Sequence, residues 1–201
     1  LGQFSLENRY CAANAYLCPM KKFNFINVLI IFVVVAGIFT VAKQFYMRPS
    51  VANGEKAPDF VAISHQNQGF KLSDLQGKYV LVDFWGSWCG PCIAESPALI
   101  AMYDKYGTAK FKDADGFTIV SVAIEKDRQR WASAIERLGL KWPYHAIDPV
   151  SNFRFFDSPI ANDYGVKQLP TSFLLDGYRR IVAVNMPIEE VDKFLAEQLQ
   201  Q

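Results

Sequence analysis

Apolar residues fall into three patterns along this chain, and each predicts a different kind of element. From Phe23 to Ala42 the run FNFINVLIIFVVVAGIFTVA carries no charge, and about 20 such residues suffice to cross a bilayer as a helix. Nothing later in the chain resembles it. Tyr79–Trp85 and Phe117–Ile124 are shorter, β-rich apolar runs of the kind that lie inside a sheet. Asp59–Ile63 and Gly69–Leu72 read as a short hairpin. The third pattern is helical: Trp131, Ile135 and Leu138 recur at helical spacing within Asp127–Leu138, and Glu189–Gln200 reads as a closing amphipathic helix. Another helix, from about Pro91 to Tyr106, follows the first buried strand, and Pro97 in its interior predicts a kink. Thr171–Asp176 and Arg179–Asn185 predict a hairpin turning at Asp176-Gly177. Strands alternating with helices, then a terminal hairpin and helix, imply an α/β fold: a three-layer sandwich around a central mixed β-sheet, preceded by one N-terminal transmembrane helix.

The flanks of the long apolar run refine its meaning. Lys21 and Lys22 precede it, and Lys43 and Arg48 follow it, so charge asymmetry alone leaves its orientation open. Met20-Lys21-Lys22 ahead of such a run is how an export signal or signal anchor begins. The expectation is therefore an over-extended N-terminus over residues 1–19, with Met20 as the initiator. Cys11 and Cys18 would then fall outside the mature protein. Thr40-Val41-Ala42 loosely resembles a cleavage site, but the run is long for a cleaved signal and favours an uncleaved anchor over residues 20–42. Residues 43–57, with Pro49, Ser50, Asn53 and Gly54, turn polar and irregular and read as a tether. A single domain occupies residues 58–201.

Composition excludes more than it selects. The 201 residues are 51% apolar with a net charge of +1, which gives no support for nucleic-acid binding or an acidic substrate. Four cysteines are too few for a stapled mini-protein, and they divide into Cys11 with Cys18 and Cys89 with Cys92.

The second pair carries the chemistry. Trp88-Cys89-Gly90-Pro91-Cys92 sets two thiols one helical turn apart, on one face, which suits them to close and reopen a disulfide. A helix beginning at Cys89 would place that sulfur among free backbone N–H groups at the positive end of the helix dipole, where a thiolate is stabilised. Cys89 is thus the expected nucleophile. Cys92 would resolve the mixed disulfide, and two carboxylates are placed to take its proton. Glu95 lies one turn beyond Cys92 on the same face, and Asp83 interrupts an apolar strand where a lone carboxylate is costly unless it titrates high or has a partner. The alternative for each is a solvated surface carboxylate. A zinc site would need a second ligand pair, and none lies downstream. His65 and His145 are far apart and lack metal spacing, so they read as surface or satisfied core histidines. Phe153, Phe155 and Phe156 read as packing.

Asp83-Phe84-Trp85 leading into the cysteine motif, Pro97 beyond it, and Leu169-Pro170-Thr171 before a late strand resemble the thioredoxin fold. Ala57-Pro58-Asp59-Phe60, the segment Lys71–Lys78, Glu95 and the insertion carrying Trp131 are similar to the membrane-anchored branch typified by the TlpA and ResA proteins. The turn Gly177-Tyr178-Arg179-Arg180 departs from the Asp-x-x-Gly usual there. The resemblance implies an extracytoplasmic thiol–disulfide oxidoreductase, periplasmic in a two-membrane bacterium, with no cofactor beyond the Cys89-Cys92 dithiol. It implies a reductant of protein disulfides, for example of apocytochrome c haem-site cysteines, recharged by an upstream membrane thiol reductant. Substrate contacts would fall to Trp88, Gly90, Pro91, Leu169 and Pro170, with Pro170 after a cis peptide bond. Two other readings remain: a thiol-dependent binding module or metallochaperone, and a thiol peroxidase, which wants threonine where this chain has Gly86.

Overall fold

The computed structural model describes residues 24–150 and 157–200. Readings that fall on residues 1–23 (Met20, Cys11 and Cys18 among them) and on Phe153, Phe155 and Phe156 lie outside the described residues. The chain separates into two compact units, the first ending at Tyr46 and the second beginning at Met47.

In the first unit, helix α1 spans Phe25–Tyr46, 22 residues with none buried. At 1.5 Å per residue it is about 33 Å long, the thickness of a bilayer's hydrocarbon core. It runs four residues beyond the apolar stretch because Lys43 and Gln44 are good helix formers. Pro49 and the restricted residue before it oppose further helix.

The second unit is built on a five-stranded sheet ordered β5-β4-β3-β6-β7. Its members are β3 (Tyr79–Trp85), β4 (Phe117–Glu125), β5 (Tyr144–Pro149), β6 (Thr171–Leu175) and β7 (Ile181–Val184), while β1 (Val61–Ile63) and β2 (Gly69–Lys71) form the separate hairpin. The first three sheet strands run parallel, and β6 and β7 are antiparallel to their neighbours. All residues of β3 and β4 are buried, as expected of strands covered on both faces.

Alternation then sorts the core. Tyr79, Leu81 and Trp85 of β3 face helices α2 (Gly90–Tyr106), α3 (Arg128–Leu138) and α5 (Ile188–Gln198), through Leu99, Met102, Trp131, Ile135, Val191 and Leu195. Val80, Val82 and Phe84 face the other way, onto Leu72 and Leu75 of a 3₁₀ turn and onto Ile160, Ala161 and Tyr164 of the short helix α4 (Pro159–Tyr164). This is the expected three-layer α/β sandwich.

Two elements were not anticipated. Strand β5 carries His145, Asp148 and Pro149, which hide its apolar alternation. Helix α4 has only six residues, too few for a helical period, and its N-terminus is held by Asp148, which accepts from the Ala161 N–H at 2.8 Å. Of the stretch read as a tether, residues 43–46 are helical. Residues 54–57 hydrogen-bond along the β7 side of the domain: Gly54 N–H donates to the Ile181 carbonyl, Ile181 N–H to Glu55, and Ala57 N–H to Arg179. The unusual turn is also accommodated. Arg179 takes a φ of +63°, and its guanidinium bonds Asp59 at 3.1 Å.

Candidate active site

Strand β3 ends at Trp85, and the chain turns through Gly86-Ser87-Trp88 into the N-terminus of α2. Cys89 is the N-cap of that helix. Its Sγ accepts from the Cys92 N–H at 3.3 Å, and Pro91 sits in the first turn, where a missing N–H costs nothing. Cys89 and Cys92 are joined in a disulfide, with Cα atoms 5.3 Å apart.

Around the disulfide, Trp88 is 37% exposed and Gly90 and Pro91 are also exposed, but Cys89 itself is only 5% exposed and Cys92 4%. In this oxidised state both cysteines belong to the apolar cluster that includes Trp85 and Leu99. The entry loop is held from β4. Trp88 Nε1–H donates to the Ile124 carbonyl at 3.0 Å, and the Ser87 hydroxyl donates to the buried carboxylate of Glu125 in a short hydrogen bond. A Cβ on Gly86 would lie 2.8 Å from the Trp88 indole nitrogen, so a threonine there is incompatible with this indole position.

Asp83 shares the face of Leu81 and Trp85, beneath α2, and is 7% exposed. Burial first, then the Glu95 charge, push its carboxyl up to about 7, partly opposed by the Ser121 hydroxyl. A partly buried Glu95 is also raised, by burial and then by Glu189. Glu95 and Pro170 line one groove of about 510 Å³, with Ala98, Met186, Ile188 and Glu189 among its walls. The Leu169–Pro170 peptide bond is cis, and both residues are half-buried. The structure thus groups Cys89, Cys92, Trp88, Gly90 and Pro91 at the helix start, Asp83 beneath it, and Glu95 with Pro170 along one side.

His65 and His145 do not stay apart. A bridge between Ser64 and Ala146 brings the first hairpin to β5, and the two rings lie 5.1 Å apart. His145 is fully buried, and burial, then the His65 ring, hold it neutral with a pKa of about 3, partly opposed by the backbone of Trp142 and Leu140. Among the described residues, no three His, Cys, Asp or Glu side chains converge as a metal site would need.

Sequence reasoning missed Ser87, Glu125, Ser121 and Trp142. The available signal was a polar residue in a run otherwise read as buried, Ser121 in FTIVSVAI; the strand pairing that gives it meaning was not available.

Comparisons with known proteins agree with this geometry. The Redoxin family model matches residues 52–197. A thiol–disulfide oxidoreductase ResA from Bacillus thuringiensis is 32% identical over 166 residues, covering 81% of this chain and 88% of the relative. The ResA of Geobacillus kaustophilus is 32% identical over 171 residues, covering 83% and 90%. Among solved structures, the thioredoxin domain of a thiol–disulfide oxidoreductase from Bacteroides vulgatus has a TM-score of 0.59 at 31% identity and covers 73% of this chain and 99% of its own. A thiol:disulfide interchange protein from a Bacteroides species has the same TM-score and identity and covers 73% and 92%. With the disulfide at the start of α2, on a thioredoxin-like sheet, these matches identify the chain as a member of the Redoxin family and a ResA-like thiol–disulfide oxidoreductase.

Proposed function

We propose that this oxidoreductase works outside the cytoplasm, anchored through Phe23–Ala42, and reduces disulfides in protein substrates such as apocytochrome c haem-site cysteines. The observation that carries the reading is a disulfide at a helix N-terminus above a buried carboxylate titrating near neutrality. In the reduced enzyme, the Cys89 thiolate attacks one sulfur of the target disulfide. That S–S bond breaks, the other target sulfur leaves as a thiolate, and a mixed disulfide forms on Cys89. Asp83 takes the Cys92 proton, as a base matched to neutral pH should, with Glu95 as the second carboxylate on that face. Cys92 then attacks the Cys89 sulfur, closing the Cys89–Cys92 disulfide and releasing the target fully reduced. Two electrons have passed to the target, and an upstream membrane thiol donor restores the dithiol. Trp88, Gly90 and Pro91 border the sulfurs, and the Leu169–Pro170 segment, of which Pro170 lines the groove, offers backbone to an extended substrate segment.

The domain plan that goes with this reading is an anchor at 20–42, a tether at 43–57 and the redox domain at 58–201. Helix α1 fits an anchor by length and composition, properties it shares with a signal sequence. The crowded Gly86 position argues against the thiol peroxidase reading.

The test pairs a reduction potential with turnover. The reduced protein should reduce a disulfide-bonded Cys-x-x-Cys-His peptide, lose that activity on Cys89→Ser, and show a potential near the thioredoxin value of about −270 mV. A potential near the DsbA value of about −120 mV would reverse the assigned direction. Metal or partner binding without any dithiol turnover would favour the binding-module reading instead.

A further inference from the structure

The strand registers align one row of side chains across the middle of the sheet. Ser172 on β6 pairs with Asp83 on β3, Asp83 with Ser121 on β4, and Ser121 with His145 on β5. On β3 and β4 the residues above and below this row on the same face are Leu81, Trp85, Ile119 and Ala123, all buried and apolar. A buried polar group amid such neighbours is costly unless it is paired. Ser121 is fully buried, and its pairing has a direction.

The Trp142 indole donates to Ser121 Oγ at 3.0 Å, and Ser121 Oγ lies 3.5 Å from Asp83 Oδ2. An indole N–H can only donate, so it occupies a lone pair on the serine and leaves the hydroxyl proton free for the carboxylate. Trp142 is itself fixed, stacked on His145 with ring centres 5.3 Å apart and planes 26° apart. Among the described residues, Ser121 supplies the one hydrogen bond that reaches the Asp83 carboxylate. We propose that Ser121 is a positioning residue for Asp83: held as an acceptor by Trp142, its hydroxyl is aimed as a donor at the carboxylate, fixing that group's orientation and its affinity for a proton.

The other groups facing Asp83 do not supply this. From α2 come Glu95, which opposes ionisation, and the Cys89–Cys92 pair. From β4, further along, comes Glu125, which is committed to Ser87 and the Lys126 N–H. From β5 comes a neutral His145. Glu189 of α5 acts on Glu95, and Ser172 of β6 carries no charge. No basic side chain is among the groups acting on Asp83. Without Ser121, the carboxylate would have burial and a like charge against it and nothing in its favour.

The mechanistic value of this arrangement rests on Asp83 being the base for Cys92, so the test reads the carboxyl and the reaction separately. The oxidised full chain, in detergent and labelled with ¹³C at the aspartate carboxyls, is titrated by NMR. Ser121→Ala should raise the Asp83 midpoint by about one pH unit, a tenfold gain in proton affinity. Trp142→Phe, which leaves the hydroxyl in place but no longer aimed, should raise it by less, and Ser121→Thr should restore the native value. An unmoved midpoint in Ser121→Ala overturns the proposal. In stopped-flow, the pH profile of the resolving step should move by the same amount as the midpoint. A midpoint that moves while the profile stays supports the Ser121–Asp83 interaction and refutes Asp83 as the base.

Discussion

Replacing Asp83 with asparagine should stabilise the oxidised protein, and only where the carboxyl would ionise. In the fold this carboxyl titrates at about 7, against 3.8 for an ordinary aspartate, chiefly because it is buried. A raised carboxyl is a penalty on the native state. The unfolded chain gives up this proton near pH 4 and the native chain holds it to about pH 7, so stability falls as pH rises through that window and then levels. At about 1.4 kcal/mol per pH unit, the displacement amounts to about 4 kcal/mol by pH 8. Asparagine does not titrate, but its buried amide N–H groups lack the carboxylate's pairing and cost about 1–3 kcal/mol at every pH. Urea denaturation of both proteins from pH 4 to pH 8 separates the two contributions. The variant's stability relative to wild type should rise by up to about 4 kcal/mol across the window. Carboxyl groups not coupled to Asp83 cancel in the difference, whereas Glu95, which acts on Asp83, contributes to it. A difference that is flat with pH, or that moves the other way, would mean that the fold does not raise the Asp83 carboxyl.

Three further outcomes follow from particular contacts. Ser87→Ala removes the hydroxyl donated to buried Glu125, and urea denaturation should show a loss of about 1–3 kcal/mol, the range for leaving a buried acceptor unpaired; an unchanged midpoint would show that this bond does not hold the entry loop. Gly139→Ala places a side chain at φ +67° in open space and should cost about 1–2 kcal/mol. Gly165→Ala has a similar φ of +65° but sets its Cβ 2.3 Å from the Ser50 backbone nitrogen, so its loss should clearly exceed that of Gly139→Ala; equal losses would mean that Ser50 is not held against the domain.

What could be read from the sequence depended on whether a residue's partners were local. The motif from Trp88 to Cys92 is self-contained, because helix spacing alone sets two sulfurs on one face. Strand Tyr79–Trp85 was legible because burial on both faces leaves an uninterrupted apolar run. Strand β5 was not, because His145 and Asp148 earn their places through contacts with Trp142 and with the start of α4, neither visible in a local window. Asp83 stood out as a charge in an apolar strand, yet its link to Ser121 exists only through the parallel pairing of β3 with β4. His65 and His145 illustrate the same limit, since the Ser64–Ala146 bridge joins segments about eighty residues apart. Glu125 was hidden by its position at the end of a strand, where a glutamate ordinarily faces water.

Trapping the intermediate distinguishes attack by Cys89 and resolution by Cys92 from the reverse order. The reduced Cys92→Ser protein is mixed with a disulfide-bonded peptide, quenched with acid, and mapped by mass spectrometry, with Cys89→Ser run in parallel. A stable mixed disulfide on Cys89 in the first variant, and little or none on Cys92 in the second, is the predicted result. An adduct that forms as readily on Cys92, or none on Cys89, would contradict it.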